Sequence, residues 1–262
     1  MHSVDPDTRV VVALDHGLHW GVHEGFEDPE ATLWRVLDAG PDGILAGVPF
    51  VRRFEELLDR YPDVDRIVTL DLFHDSTIPG ARENAEIHRQ VFSAREATRV
   101  GADAAKVALI YGREREDVLA DNVEFTASAA ETCREAGIPL VVEPTLWGSR
   151  LDDDLDAERI HDAARIAFEL GADVLKCPYP RTRAAFEPIA DTAPVPVYIA
   201  GGPATESDRE VLEMAADAVG AGARGAMFGR NVWQRDDPAA IVAALTAVTH
   251  DGATAGAAAA YL

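Results

Sequence analysis

Short apolar runs recur along this chain, each followed by a polar loop, an amphipathic stretch and a glycine before the next run begins. The runs are Val10–Leu14, Gly43–Ala46, Arg66–Leu70, Ala104–Leu109, Leu140–Glu143, Val174–Cys177, Val197–Ala200 and Gly225–Phe228. Read as strands they number eight, the count of a closed (β/α)8 barrel. Between them apolar positions recur at the helical period: Leu33, Val36 and Leu37; Phe54, Leu57 and Leu58; Ile87, Val91 and Ala94; Ile160, Ala163, Ala164 and Ala167; Val211, Leu212, Ala215 and Val219; Ile241, Leu245 and Val248. Each set predicts a helix with one face to bury against a sheet. Asp28 with Pro29, Thr205 with Asp208, and Asp237 with Pro238 read as helix starts. Gly40, Gly101, Gly137, Gly171 and Gly222 fall where a left-handed helix end is wanted. One α/β barrel spanning residues 1–262 is the expected organisation.

Two of the helix-to-strand junctions are near copies, Gly101-Ala-Asp-Ala-Ala-Lys106 and Gly171-Ala-Asp-Val-Leu-Lys176. Of the 24 Lys+Arg positions only these two are lysine. A chain that makes its cations from arginine yet keeps two amines inside apolar strands has a use for an amine there. An amine, unlike a guanidinium, can lose its proton and attack a carbonyl. Lys176 is therefore the candidate nucleophile, against the alternative of a strand-end lysine snorkelling to solvent. By strand count the two junctions open strands four and six, which fill the same side-chain layers of a barrel, so the lysines stand at matching strand positions. Two readings of Lys106 stay open. Its charge favours the neutral, nucleophilic form of Lys176, or it pairs with a carboxylate such as Asp71 or Glu143.

A formal net charge of -22 and a pI near 4.6 argue against non-specific binding to nucleic acid or an anionic membrane. Any anionic substrate has to be drawn in by local cations. Scarce lysine with abundant Asp and Glu fits a protein kept soluble at high salt, where screening tolerates self-repulsion. With only Cys133 and Cys177 there is neither a disulfide framework nor a cysteine-rich metal site. Met1–Thr8 is polar and acidic, and no stretch has the length of a membrane span. A soluble, cytoplasmic protein is the expectation.

Two further stretches carry chemistry. In Ala13-Leu-Asp-His-Gly-Leu-His-Trp-Gly21, Asp15 leaves the first strand at the barrel face where catalytic groups gather, and is the first acid/base candidate. The same stretch invites a metal reading from Asp15, His16, His19 and His23, set against loop and packing histidines. The turns Ala200-Gly-Gly-Pro203 and Phe228-Gly-Arg-Asn231 follow the last two strands, where barrels often hold phosphate. Gly201, Gly202 and Gly229 let backbone approach an anion, a helix near Thr205 presents its N-terminus, and Arg230 adds a permanent charge.

These pieces resemble the class I, Schiff-base aldolase family that includes archaeal fructose-bisphosphate aldolase, aminodideoxyheptulosonate synthase and the bacterial autoinducer-2-phosphate thiolase. The resemblance rests on Leu14-Asp-His-Gly17, Gly101-Ala-Asp103, Ala172-Asp173 through Lys176, Tyr198-Ile-Ala-Gly-Gly-Pro203 and Gly225 through Gln234. It implies that Lys176 is the Schiff-base lysine, Asp15 the first-strand carboxylate, and Gly201, Gly202, Gly229 and Arg230 parts of a phosphate site. It also implies a homo-oligomer and no cofactor. One position departs from the family pattern: Glu143-Pro-Thr-Leu-Trp-Gly148 puts Thr145 where many members carry an acid/base tyrosine. Lys106 with Val141-Val-Glu143 instead resembles the tagatose-bisphosphate and sulfofructose-phosphate aldolases. Glu143 becomes the next proton-transfer candidate, with Tyr179 after it.

The expected activity is carbon–carbon bond cleavage or formation on a phosphorylated ketose such as fructose 1,6-bisphosphate, through an imine on Lys176 and without a metal. An aminodideoxyheptulosonate synthase-like transaldolase and a thiolase-like acyltransferase are alternatives that use the same lysine. A metal-dependent barrel enzyme and a non-catalytic interaction protein are alternatives of another class.

Overall fold

A computed structural model describes residues 8–73 and 87–262. Except for Thr8, the polar Met1–Thr8 stretch lies outside the described residues. The strands are β1 (Arg9–Ala13), β2 (Gly43–Gly47), β3 (Asp65–Thr69), β4 (Asp71–Phe73), β5 (His88–Gln90), β6 (Ala104–Tyr111), β7 (Leu140–Leu146), β8 (Val174–Pro178), β9 (Val197–Ala200) and β10 (Gly225–Phe228). The helices are α1 (His16–Trp20), α2 (Pro29–Asp38), α3 (Val48–Arg53), α4 (Glu55–Leu58), α5 (Ala94–Arg99) and α6 (Glu116–Ala136). They continue with α7 (Ala157–Glu169), α8 (Arg183–Thr192), α9 (Asp208–Gly220), α10 (Arg230–Trp233), α11 (Pro238–Thr249) and α12 (Ala255–Ala258).

Eight of the strands close into a barrel in the order β1-β10-β9-β8-β7-β6-β3-β2, and β4 with β5 forms a small separate antiparallel pair. Every pairing in the barrel is parallel. Strands covered on both faces explain why the runs are continuously apolar rather than alternating. The period-two alternation survives in which core each residue joins. Val10, Val12, Ala105, Val107, Val142, Leu175 and Cys177 pack outward against the helices. Val11, Ala13, Ala104, Val141 and Val174 fill the barrel interior. Stepping two residues on from those interior positions gives Asp15, Lys106, Glu143 and Lys176. Strand parity thus aims four polar side chains at the C-terminal end of the lumen.

The caps act largely as expected. Asp28 accepts hydrogen bonds from the amides of Glu30 and Ala31, and Asp237 from those of Ala239 and Ala240. The five junction glycines all have φ between 69° and 104°, the region glycine enters without a Cβ penalty. At the third start signal the cap is Ser207, not Thr205, and α9 begins at Asp208. That helix opens with Asp208 and Glu210, which disfavour an anion at its N-terminus.

Two other expectations change. Ile87, Val91 and Ala94 do not share a helix: His88–Gln90 is β5, and Ala94 begins α5. The strand β7 runs on to Leu146, pairing with β6 as far as Tyr111. Glu143 and Thr145 therefore sit within a strand rather than in a turn after it.

Candidate active site

A cavity of about 530 Å³ opens at the C-terminal end of the barrel, and all eight residues singled out from the sequence line it: Asp15, Lys106, Glu143, Lys176, Gly201, Gly202, Gly229 and Arg230. At its base β7 lies between β6 and β8 and supplies the carboxylate that links their lysines. Lys106 Nζ is 2.9 Å from Glu143 Oε2, and Lys176 Nζ is 2.9 Å from Glu143 Oε1. Lys106 Nζ also lies 3.6 Å from Asp15 Oδ2. Asp15 is held in turn by the Thr69 hydroxyl, which donates to Oδ2 at 2.7 Å. The two amines are neighbours, but Glu143 bridges them. Of the two readings of Lys106, the pairing with a carboxylate is the one realised, and the partner is Glu143 rather than Asp71.

The electrostatics follow from that packing. Burial works against the charge on Lys106, but Glu143, Asp15 and Asp71 outweigh it and hold the ammonium above the ordinary lysine range. Burial likewise pushes Glu143 and Asp15 up, and the facing cations, Lys106 foremost, bring both below the usual carboxylate range. At neutral pH the base of the cavity therefore holds a fixed cation and two carboxylates around Lys176. A buried cluster of this kind is costly to break and well suited to handing protons between fixed positions.

Opposite charges do not account for the histidines. His16 and His19 lie in α1, with His16 Nδ1 3.8 Å and His19 Nε2 3.6 Å from Asp15 oxygens. His19 stacks on Phe73 at 3.8 Å between ring centroids, and His16 meets Trp233 edge-on at 5.2 Å. Among the described residues no three His, Cys, Asp or Glu side chains converge as metal ligands. They are packing histidines that also wall the cavity. His16 explains Gly229, because a Cβ there would lie 2.3 Å from His16 Cε1.

Burial drives the His16 imidazole down to about 3, and burial also lowers His88, which donates or accepts at 2.7 Å from Asp71. Unfolded chains protonate these rings near pH 6.5 and the folded chain does not, so stability is expected to fall as pH drops below 6.5. Melting temperature measured from pH 7 to pH 5 should decline, and His16→Gln should flatten the decline. An unchanged melting temperature over that range would contradict the assignment.

The loops after β9 and β10 are tied together by one side chain that the sequence reading passed over. Asn231 Nδ2 donates to Gly201 O at 2.8 Å and Pro203 O at 3.1 Å, while its Oδ1 accepts from Thr205 N at 2.9 Å. Arg230 reaches the cavity half-buried, and its buried Nε has no hydrogen-bond partner among the described residues. Tyr179 is spoken for: its hydroxyl donates to Asp217 at 3.3 Å and is pushed well up by burial and that carboxylate. Thr145 lines the cavity, its hydroxyl 3.4 Å from the Glu143 carbonyl.

A parallel (β/α)8 barrel with lysine and carboxylate side chains gathered at the strands' C-terminal ends has the layout of a barrel enzyme's active site. The DeoC/LacD family aldolase model matches residues 9–235, and the chain belongs to that family. A class 1 fructose-bisphosphate aldolase of Halobacterium salinarum is 35% identical over 251 residues, covering 94% of this chain and 91% of that protein. From the same species, 2-amino-3,7-dideoxy-D-threo-hept-6-ulosonate synthase is 33% identical over 254 residues, covering 97% and 91%. A solved archaeal fructose-1,6-bisphosphate aldolase, its catalytic lysine covalently bound to the carbinolamine intermediate, matches with a TM-score of 0.82 at 27% identity. That match covers 94% of this chain and 96% of the other.

Proposed function

We propose that the chain is a class I aldolase that cleaves or forms a carbon–carbon bond of a phosphorylated ketose through a Schiff base on Lys176. The observation that carries the reading is Glu143 held 2.9 Å from both Lys176 and Lys106. Lys106 keeps Glu143 ionised, and the ionised carboxylate takes a proton from Lys176 as a ketone enters. The freed amine attacks the carbonyl carbon, and Glu143 or Asp15 returns a proton to the departing water. The protonated imine is cationic, so the carboxylate that faced the ammonium faces the imine too. It draws electrons from the bond beyond the next carbon, while a carboxylate takes the hydroxyl proton and the aldehyde leaves.

The same reading places the substrate's phosphate on Arg230 and the backbone of Gly201, Gly202 and Gly229, with the carbonyl toward Lys176. The relatives named for sugar-phosphate chemistry support it, the acidic, lysine-poor composition supports a protein working at high salt, and the family resemblance implies a cytoplasmic homo-oligomer. Incubation with a panel of phosphorylated ketoses and mass spectrometry of the products tests the reaction itself.

Charge-assisted contacts of the Arg230 type contribute about 1.5–3 kcal/mol. Arg230→Ala is therefore expected to weaken the apparent affinity for a phosphorylated ketose by roughly ten- to over a hundred-fold. An unphosphorylated ketose should be a poor substrate and lose little more. Equal proportional losses on both, with a lowered melting temperature, would make Arg230 structural and remove the phosphate site.

A further inference from the structure

The cavity has two unlike ends. The phosphate-binding loops follow β9 and β10, and in the closed strand order the strands facing these across the lumen are β3 and β6. Among the described residues, that far side contributes one cation to the lining, Lys106 of β6, 5.8 Å from the Phe73 ring centroid. The rest is a wall of Phe73 from β4, Ala108 and Ile110 from β6, and Trp147 just past β7, with Trp20 of α1 closing it. The rings brace one another: Phe73 meets Trp147 and Trp20 edge to face, each at 5.6 Å, and Trp20 lies tilted against Trp147 at 6.5 Å. Trp20 and Trp147 stay partly exposed into the cavity.

The cations that line the cavity among the described residues are already placed, and Arg113, outside that lining, stacks on Trp147 at 4.7 Å from its ring centroid. Lys106 is paired with Glu143 and Asp15, Lys176 is the proposed nucleophile, and Arg230 stands beside the glycine turns. Asp154, also on the cavity lining, adds negative charge. Among the described residues there, a second phosphate on the far half of a ketose would meet aromatic rings and a lysine already paired with two carboxylates, and an unpaired dianion against apolar surface is strongly disfavoured. An alkyl or aryl group there would bury apolar area against Trp147, Phe73 and Ile110.

We propose that the aldehyde half of the substrate is unphosphorylated and apolar, so that the enzyme joins or releases an alkyl or aryl aldehyde rather than a sugar phosphate at that end. This rests on the Schiff-base reading above and narrows its substrate class. In the synthetic direction, the enamine carbon formed on Lys176 from a phosphorylated ketone attacks the aldehyde carbon. The carbonyl π bond becomes a hydroxyl, the proton coming from a site carboxylic acid, and water then releases the longer ketose from the lysine.

The test is condensation with dihydroxyacetone phosphate as donor and either phenylacetaldehyde or glyceraldehyde 3-phosphate as acceptor, alongside borohydride trapping with the donor alone. The expected kcat/KM is at least roughly ten-fold higher for phenylacetaldehyde, the scale set by burying one large apolar group. Trp147→Ala should remove about that preference while the donor adduct on Lys176 still forms, and Trp147→Phe should retain most of it. An adduct with preference for glyceraldehyde 3-phosphate would overturn this proposal alone, as would equal losses on both acceptors in Trp147→Ala. The native acceptor ratio decides the matter even where a variant fails to fold. Absence of any donor adduct on Lys176 would remove the Schiff-base reading and this proposal with it.

Discussion

Lys176→Arg is expected to reduce aldol turnover to background, and borohydride added to the native protein with a phosphorylated ketose is expected to leave one covalent adduct, on Lys176. Both follow from what a guanidinium cannot do. It keeps the positive charge opposite Glu143 Oε1, so the buried ion pair and the fold survive, but it does not shed a proton near neutrality and cannot become the attacking nitrogen. Loss of activity with an unchanged melting temperature therefore isolates the chemistry from stability. Peptide mapping is unusually clear here because Lys106 is the only other side-chain amine. Lys106 is 1% exposed and held charged by three carboxylates. An adduct on Lys106 would exchange the two roles, and no adduct with an active substrate would end the imine mechanism.

The barrel was legible because parallel strands buried on both faces leave uninterrupted apolar runs, and because helix ends that need positive φ leave glycines in the same place each time. The lysines were legible because lysine is otherwise absent. What failed to show had physical reasons too. The apolar pattern does not mark α6, whose inward face carries Asn122 and Thr126. Asn122 is there to bond β6, accepting from Ile110 N and donating to Ala108 O, and a polar residue with that duty looks like solvent-facing surface in a sequence. The pattern misplaces β5 because Ile87 and Val91 stand four apart, yet both are exposed and His88 is the buried residue between them. Helix α8 hides behind Pro188 in its interior.

The site itself divides the same way. Charged residues at strand ends could be read one at a time, since parity and position decide where each points. The Thr69–Asp15 bond, the Asn231 clamp and the aromatic wall join residues that only barrel closure brings together. No local spacing encodes them. The two candidates for the missing tyrosine's role separate only in the fold: Glu143 lies 2.9 Å from both lysines, whereas the Tyr179 hydroxyl donates to Asp217.

Glu143→Gln is expected to slow the chemical step by roughly two to four orders of magnitude, the usual contribution of a positioned acid/base group. The amide keeps the size of the carboxylate but offers one acceptor where there were two, and turns an N–H toward one of two ammonium groups. Lys106 would keep only Asp15, at 3.6 Å, among its close partners, so some stability should go as well; breaking a buried pair typically costs about 3–5 kcal/mol. Activity must therefore be compared at a temperature where the variant is folded by circular dichroism. Substrate should still bind, because Arg230 and the glycine turns lie at the other end of the ketose. A proton-transfer role also predicts a readout that packing does not: the acidic limb of the native kcat profile should vanish in Glu143→Gln and reappear, displaced, in Glu143→Asp. Turnover within ten-fold of native in the folded variant would instead assign the proton to Asp15, the other carboxylate beside Lys106, and leave Glu143 as the strut that holds the two lysines apart.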